Sequence, residues 1–100
     1  MNIVILGAGQ VGSELSQILA EEHDVTLIDI NEEKLQKISD HNDLRTICGN
    51  CCFPRTLESA DIASADLAVA MTQWDEVNMV ACDMITHINK TTRTVARMRA

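Results

Sequence analysis

The chain has 100 residues and a net charge of −7, with 46% apolar but only 2% aromatic residues. That length supports one small core, and the aliphatic composition excludes a disordered chain. The acidic balance argues against nucleic acid as a partner, because a nucleic-acid surface needs basic patches. No apolar run approaches the roughly 20 residues of a membrane-spanning helix. Met1 to Leu6 reads as a core strand rather than a leader, so a cytoplasmic protein is expected.

A first strand at Asn2–Leu6 runs into Gly7-Ala8-Gly9-Gln10-Val11-Gly12. In this pattern Gly7 allows the tight turn. Gly9, lacking Cβ, lets a pyrophosphate approach the backbone, and Gly12 lets the following helix pack closely. Gln10 and Val11 fall in the same turn, so they join the candidate cofactor-binding residues. The helix starts at the phosphate, and its free N–H groups and positive dipole end face the negative charge. Val11, Leu15, Ile18 and Leu19 recur at helical spacing and predict its buried face. A second strand, Val25–Asp29, ends on an acid about 20 residues downstream, where a carboxylate accepts ribose hydroxyls.

The alternation continues to the end of the chain. A helix is expected over Glu32–Asp40, with Asn31 as N-cap and Leu35 and Ile38 buried. A strand at Arg45–Cys48 precedes a short helix opened by Pro54 and carrying Leu57 and Ala60. A strand at Leu67–Met71 leads to a longer helix after Asp75, expected to bury Val77, Val80, Ala81, Met84, Ile85 and Ile88. A fifth strand is expected at Thr94–Met98. Alternating strands and helices imply βαβ units. The fold class is α/β: a Rossmann-like, doubly wound parallel sheet of order 3-2-1-4-5. Its ligand crevice should open between strands one and four at their carboxyl ends. Such folds usually add a sixth strand and a last helix. Residues 1–100 therefore read as a single domain truncated before them, at the front of a longer protein.

The segment after strand four, Thr72-Gln73-Trp74-Asp75, falls at the crevice mouth. Thr72 is placed to hydrogen-bond a phosphate or a nicotinamide riboside. Asp75 has two readings, a cap for the next helix or a ligand contact. Trp74 either lines the pocket or covers its rim. Cys48-Gly-Asn-Cys51 has the spacing of a redox pair. Structural thiols in a reducing compartment are the favoured reading, ahead of a redox switch or a metal site. His23 and His41 follow helices, on the side of the sheet away from the crevice, and His87 sits where a cation suits a helix end. No histidine, serine or lysine is arranged with a partner for acid–base or nucleophilic catalysis. Nor is there room for a domain that would position a hydride acceptor. Met79 and Cys82 lie off the expected buried stripe of the long helix. They are either scattered surface residues or a self-complementary patch.

Taken together, Gly7 to Gly12, Asp29, Gly49-Asn50 with Pro54 and Leu57, Thr72-x-x-Asp75-Glu76-x-Asn78 and Ala96-Arg97-x-Arg99 carry a resemblance over the whole chain. The sequence resembles the N-terminal nucleotide-binding (RCK or KTN) domain of Trk-type potassium-uptake regulators. The resemblance implies a non-enzymatic, regulatory domain that binds NAD or NADH, or ATP in some members. It implies dimers assembled into a ring, tetrameric in the full-length protein, peripheral at the inner face of the cell membrane, that gate a membrane potassium transporter. It also adds Asn50, Cys51, Asp75 and Arg97 to the candidate site. The family often has Gly-Asp and small residues where this chain has Gly49-Asn50-Cys51-Cys52, so adenine contact is altered here. Neutral Gln10 supplies no counter-charge for a γ-phosphate, which favours NAD(H) over ATP. The alternative is the nucleotide-binding half of a small NAD-dependent dehydrogenase or reductase. A methyltransferase would want a different turn.

Overall fold

The computed structural model describes residues 1–99. Strands β1 (Asn2–Leu6), β2 (Asp24–Asp29), β3 (Arg45–Cys48), β4 (Leu67–Ala70) and β5 (Arg93–Ala96) form one sheet in the order β3-β2-β1-β4-β5. Every pairing is parallel. Helices α1 (Gln10–Leu19), α2 (Glu32–Ser39), α3 (Pro54–Ser59) and α4 (Asp75–Ile88) connect the strands, with a single 3₁₀ turn at Ile62–Ser64. This is the expected doubly wound Rossmann-like sheet.

The two faces of β1 show why an unbroken apolar run belongs here. Ile3 and Ile5 face a cluster with Leu27, Leu35 and Ile38, packed under α1 and α2. Val4 and Leu6 face the opposite cluster, with Leu57, Ile62, Ala81 and Ile85 under α3 and α4. Side chains alternate across a strand, and helices cover both faces of this sheet, so both sets must be apolar. Neither aromatic residue enters the core: Phe53 and Trp74 are exposed.

Several expectations are corrected. Val11 and Ile18 are exposed, and α1 instead buries Gly12 and Ser16. Gly12 has no side chain, so the helix sits too close to the sheet at this point for a larger face. The Ser16 hydroxyl is satisfied by donating to the Gly12 carbonyl at 2.7 Å. On α4, Val80 is exposed, and the buried stripe is Asn78, Ala81 and Ile85. Cys82, expected off that stripe, packs against the core beside Met84. Strand β4 stops at Ala70 because the Thr72 N–H turns to the Asn78 side chain, at 3.0 Å. Strand β5 is displaced to Arg93–Ala96. The Arg97 N–H makes the last ladder bond, to the Ala70 carbonyl, and the Arg99 N–H turns away to the Asp75 carboxylate.

Candidate functional site

The order reversal beside β1 opens a cleft of about 640 Å³ at the carboxyl ends of the strands. Of the eleven cofactor-binding candidates, nine line it: Gly7, Gly9, Gln10, Val11, Asp29, Asn50, Cys51, Thr72 and Arg97. Gly12 and Asp75 do not line it. A second hollow of equal volume lies at the other end of the strands, lined by Glu21, Glu22, Asp24, Asp43 and Asp61. Its acid-rich wall repels anions, and ligands of open parallel sheets gather at the opposite end. The glycine-turn cleft is therefore the candidate site.

The turn is built by the close packing of its glycines. Gly7 has φ +107°, and a Cβ there would meet the Met71–Thr72 backbone at 2.9 Å. A Cβ on Gly12 would run into the Gly7 carbonyl oxygen. Gly9 differs, because nothing lies within 4 Å of its Cβ position, which points into open space. Gly9 is the N-cap of α1 and makes no side-chain cap. The ring of the helix closes only from the Ser13 N–H, which donates to the Gly9 carbonyl at 2.9 Å. The N–H groups ahead of it lack helical acceptors, an arrangement suited to an anion.

Asp29 ends β2 beside this turn. Its Oδ2 accepts the Ala8 N–H at 2.7 Å and its Oδ1 accepts the Asn31 N–H at 2.8 Å. The carboxylate is thus fixed in orientation with lone pairs remaining. Lys34 stands on the same wall, a positive charge that the residues immediately after Asp29 do not reveal. It lies one turn into α2, and Asn31 caps its N–H at 3.1 Å, as the sequence predicts. Helical spacing after the N-cap is the sequence signal for it.

The opposite wall is a hydrogen-bonded unit of three elements. The Asn78 amide, fully buried, bonds Thr72 and the Arg97 carbonyl. Arg97 Nη2 donates to the Met71 and Thr72 carbonyls at 3.3 and 3.1 Å, and its buried Nε has no partner. Arg99 also lines the cleft, giving this wall two cations. Trp74, at the rim, is the N-cap position of α4. Asp75 follows it, and its carboxylate accepts the Arg99 N–H at 3.0 and 3.1 Å. Its observed task is to anchor the chain after β5.

Asn50 Oδ1 accepts the Cys52 N–H at 2.8 Å, holding the turn after β3. Burial, aided by neighbouring Cys52, pushes the Cys51 thiol up to about 12. A hydrogen bond to Glu32 holds the Cys48 thiol above its ordinary value, and burial does the same for Cys82. A redox pair depends on a lowered thiol pKa, and Cys48 and Cys51 have the reverse. No group of three His, Cys, Asp or Glu side chains converges among the described residues. Likewise, no helix among them is long and apolar enough to cross a membrane.

Residues 3–100 match the family model described as the TrkA-N domain. The chain is 42% identical to the Trk system potassium uptake protein TrkA of Halomonas elongata, over 100% of this chain and 22% of the relative. It is 44% identical to the protein of the same description from Haemophilus influenzae, over 99% of this chain and 22% of the relative. The chain thus spans about a fifth of the length of these relatives. Among solved structures, the TrkA-N domain of the inner membrane protein ybaL from Escherichia coli superposes with a TM-score of 0.91. It covers 99% of this chain and 73% of its own, at 17% identity, and so attests the fold alone.

Proposed function

The chain belongs to the TrkA-N domain family, and on that footing we propose that it is a regulatory NAD(H)-binding domain of a potassium-uptake system. The observation that carries this reading is the pairing of Asp29 with the glycine turn. A fixed carboxylate lies beside Ala8, and the open space over Gly9 adjoins the unbonded start of α1. A dinucleotide would place its adenosine ribose on Asp29 and its pyrophosphate over Gly9. Its second nucleoside would reach toward Thr72 and Trp74. The three cations lining the cleft, Lys34, Arg97 and Arg99, would balance its phosphates. Gln10, in the turn itself, is neutral, which favours NAD(H) over ATP.

The domain senses the nucleotide and does no chemistry on it. Among the described residues no histidine lines the cleft, and burial pushes the Cys51 thiol up to about 12. In the whole protein, such domains would pair, with exposed Met79 and Val80 on α4 as the self-complementary patch. The paired domains would form a ring, with four such units in the full-length protein. The ring would act from the cytoplasmic face, peripheral to the membrane, on a potassium transporter, and exchange of ligand would alter its shape.

Calorimetric titration with NAD⁺, NADH, NADPH and ATP tests the ligand. NADH, incubated with the chain and a panel of ketoacids, aldehydes and quinones, should persist. Steady substrate-dependent loss of the reduced-nicotinamide absorbance would replace this reading with the dehydrogenase one.

A further inference from the structure

We infer that Asn78 sets the hydrogen-bonding polarity of the cleft at Thr72. Thr72 then receives a donor group of the ligand, a ribose hydroxyl or a carboxamide N–H, rather than a phosphate. The inference rests on the dinucleotide reading above and names what the second nucleoside meets.

Asn78 occupies a core position. It is fully buried on the α4 stripe that continues through Ala81 and Ile85, both apolar. A buried amide there is costly unless each of its polar atoms is bonded. All are. Oδ1 accepts from the Thr72 N–H at 3.0 Å, and Nδ2 donates to the Thr72 and Arg97 carbonyls at 3.2 and 2.9 Å.

These partners also fix which way the amide faces. A backbone N–H only donates and a backbone carbonyl only accepts, so the oxygen and nitrogen cannot be exchanged. The Thr72 hydroxyl lies 2.6 Å from Asn78 Oδ1, which has no proton to give. The hydroxyl's single proton therefore points to Asn78. A competing acceptor, the Trp74 carbonyl, is farther away at 3.2 Å. The Trp74 N–H approaches the same hydroxyl oxygen at 3.3 Å and takes one lone pair. What Thr72 offers the cleft is the remaining lone pair. A ligand hydroxyl or N–H satisfies it, whereas a phosphate oxygen meets another acceptor.

Calorimetric titration of the full chain with ADP, ADP-ribose, NADH and the acetylpyridine analogue of NADH tests this. Thr72→Val removes the hydroxyl at nearly constant shape. It should weaken NADH by roughly threefold to tenfold, the range of one neutral hydrogen bond, and leave ADP unchanged. Thr72→Ser should restore the wild-type ratio of NADH to ADP affinity. Asn78→Ala frees the hydroxyl to donate as well as accept, and should lower that ratio by less than Thr72→Val does. Loss shared by ADP-ribose identifies a ribose hydroxyl as the donor. Loss confined to NADH, and absent for the acetylpyridine analogue, identifies the carboxamide. If Thr72→Val leaves the NADH to ADP ratio unchanged while wild type binds NADH, the inference falls alone. If wild type binds no dinucleotide, the functional reading falls and takes the inference with it. Should Asn78→Ala not fold, the two Thr72 variants decide.

Discussion

The carboxylate of Asp29 holds the backbone N–H of Ala8 at 2.7 Å, so the acid at the end of β2 is tied to the glycine turn at the end of β1. The two halves of the proposed ribose–phosphate site are therefore tied together. Replacing Asp29 by Ala removes a charge-assisted hydrogen bond to the ligand and the tether on the turn. NADH affinity should fall about tenfold or more, consistent with roughly 1.5–3 kcal/mol for such a bond. Calorimetry on a variant shown by circular dichroism to be folded measures it.

Lys34 sharpens the question of NADH against NADPH. Asp29 repels a ribose 2′-phosphate, but the ammonium of Lys34 on the same wall attracts it. Asp29 is held at the turn by two N–H groups, while Lys34 is exposed on a flexible stem. The expected preference is for NADH, narrowed by Lys34. Lys34→Ala should widen it by a few-fold, as exposed charges contribute about 1 kcal/mol or less. Equal NADPH and NADH affinities in wild type would contradict this assignment of Asp29.

The glycines separate folding from binding. Gly12→Ala drives a methyl group into the Gly7 carbonyl oxygen, an overpacking costing about 1–3 kcal/mol. The melting temperature should drop by at least about 4 °C. Gly9→Val adds its side chain to open space. It should leave the melting temperature almost unchanged and abolish nucleotide binding, because the side chain occupies the pyrophosphate's position.

Alkaline pH should destabilise the domain through Cys51. Its folded-state pKa is raised from 9.0 to about 12, mainly by burial. Above pH 9 the unfolded chain releases this proton while the folded chain keeps it. The contribution is complete below 9 and lost progressively as pH rises toward 12. Cys51→Ala should flatten the fall in denaturant midpoint between pH 9 and 10.5. Cys48 and Cys82, also raised, should leave a shallower residual slope.

Much of this molecule was legible in its sequence for local reasons. The strand–glycine–helix–strand–acid pattern has one compact solution, and Asp29 and Gly9 fall where the pattern places them. Asn31 caps α2 as its residue type predicts. Sequence and structure part where tertiary packing overrides hydrophobicity. Val80 and Ile18 belong inside by their apolar character, yet Asn78 and Ser16 take those places because each finds partners for its polar atoms. Asp75 has the spacing of a ligand contact or a cap, and only the path of the chain after β5 reveals Arg99 as its partner. Lys34 is not legible beside Asp29, because it reaches the cleft from the next turn of helix rather than from the adjoining residues.

The most direct test of nucleotide binding in this cleft uses Trp74, the chain's single tryptophan, which stands at the cleft rim. Reduced nicotinamide absorbs where indole emits, so NADH bound across the glycine turn must quench Trp74 by energy transfer. The account predicts saturable quenching in wild type, with enhanced nicotinamide emission, and none beyond inner-filter absorption in folded Gly9→Val. Trp74 emission unchanged at saturating NADH, or equal quenching in the two proteins, would contradict it.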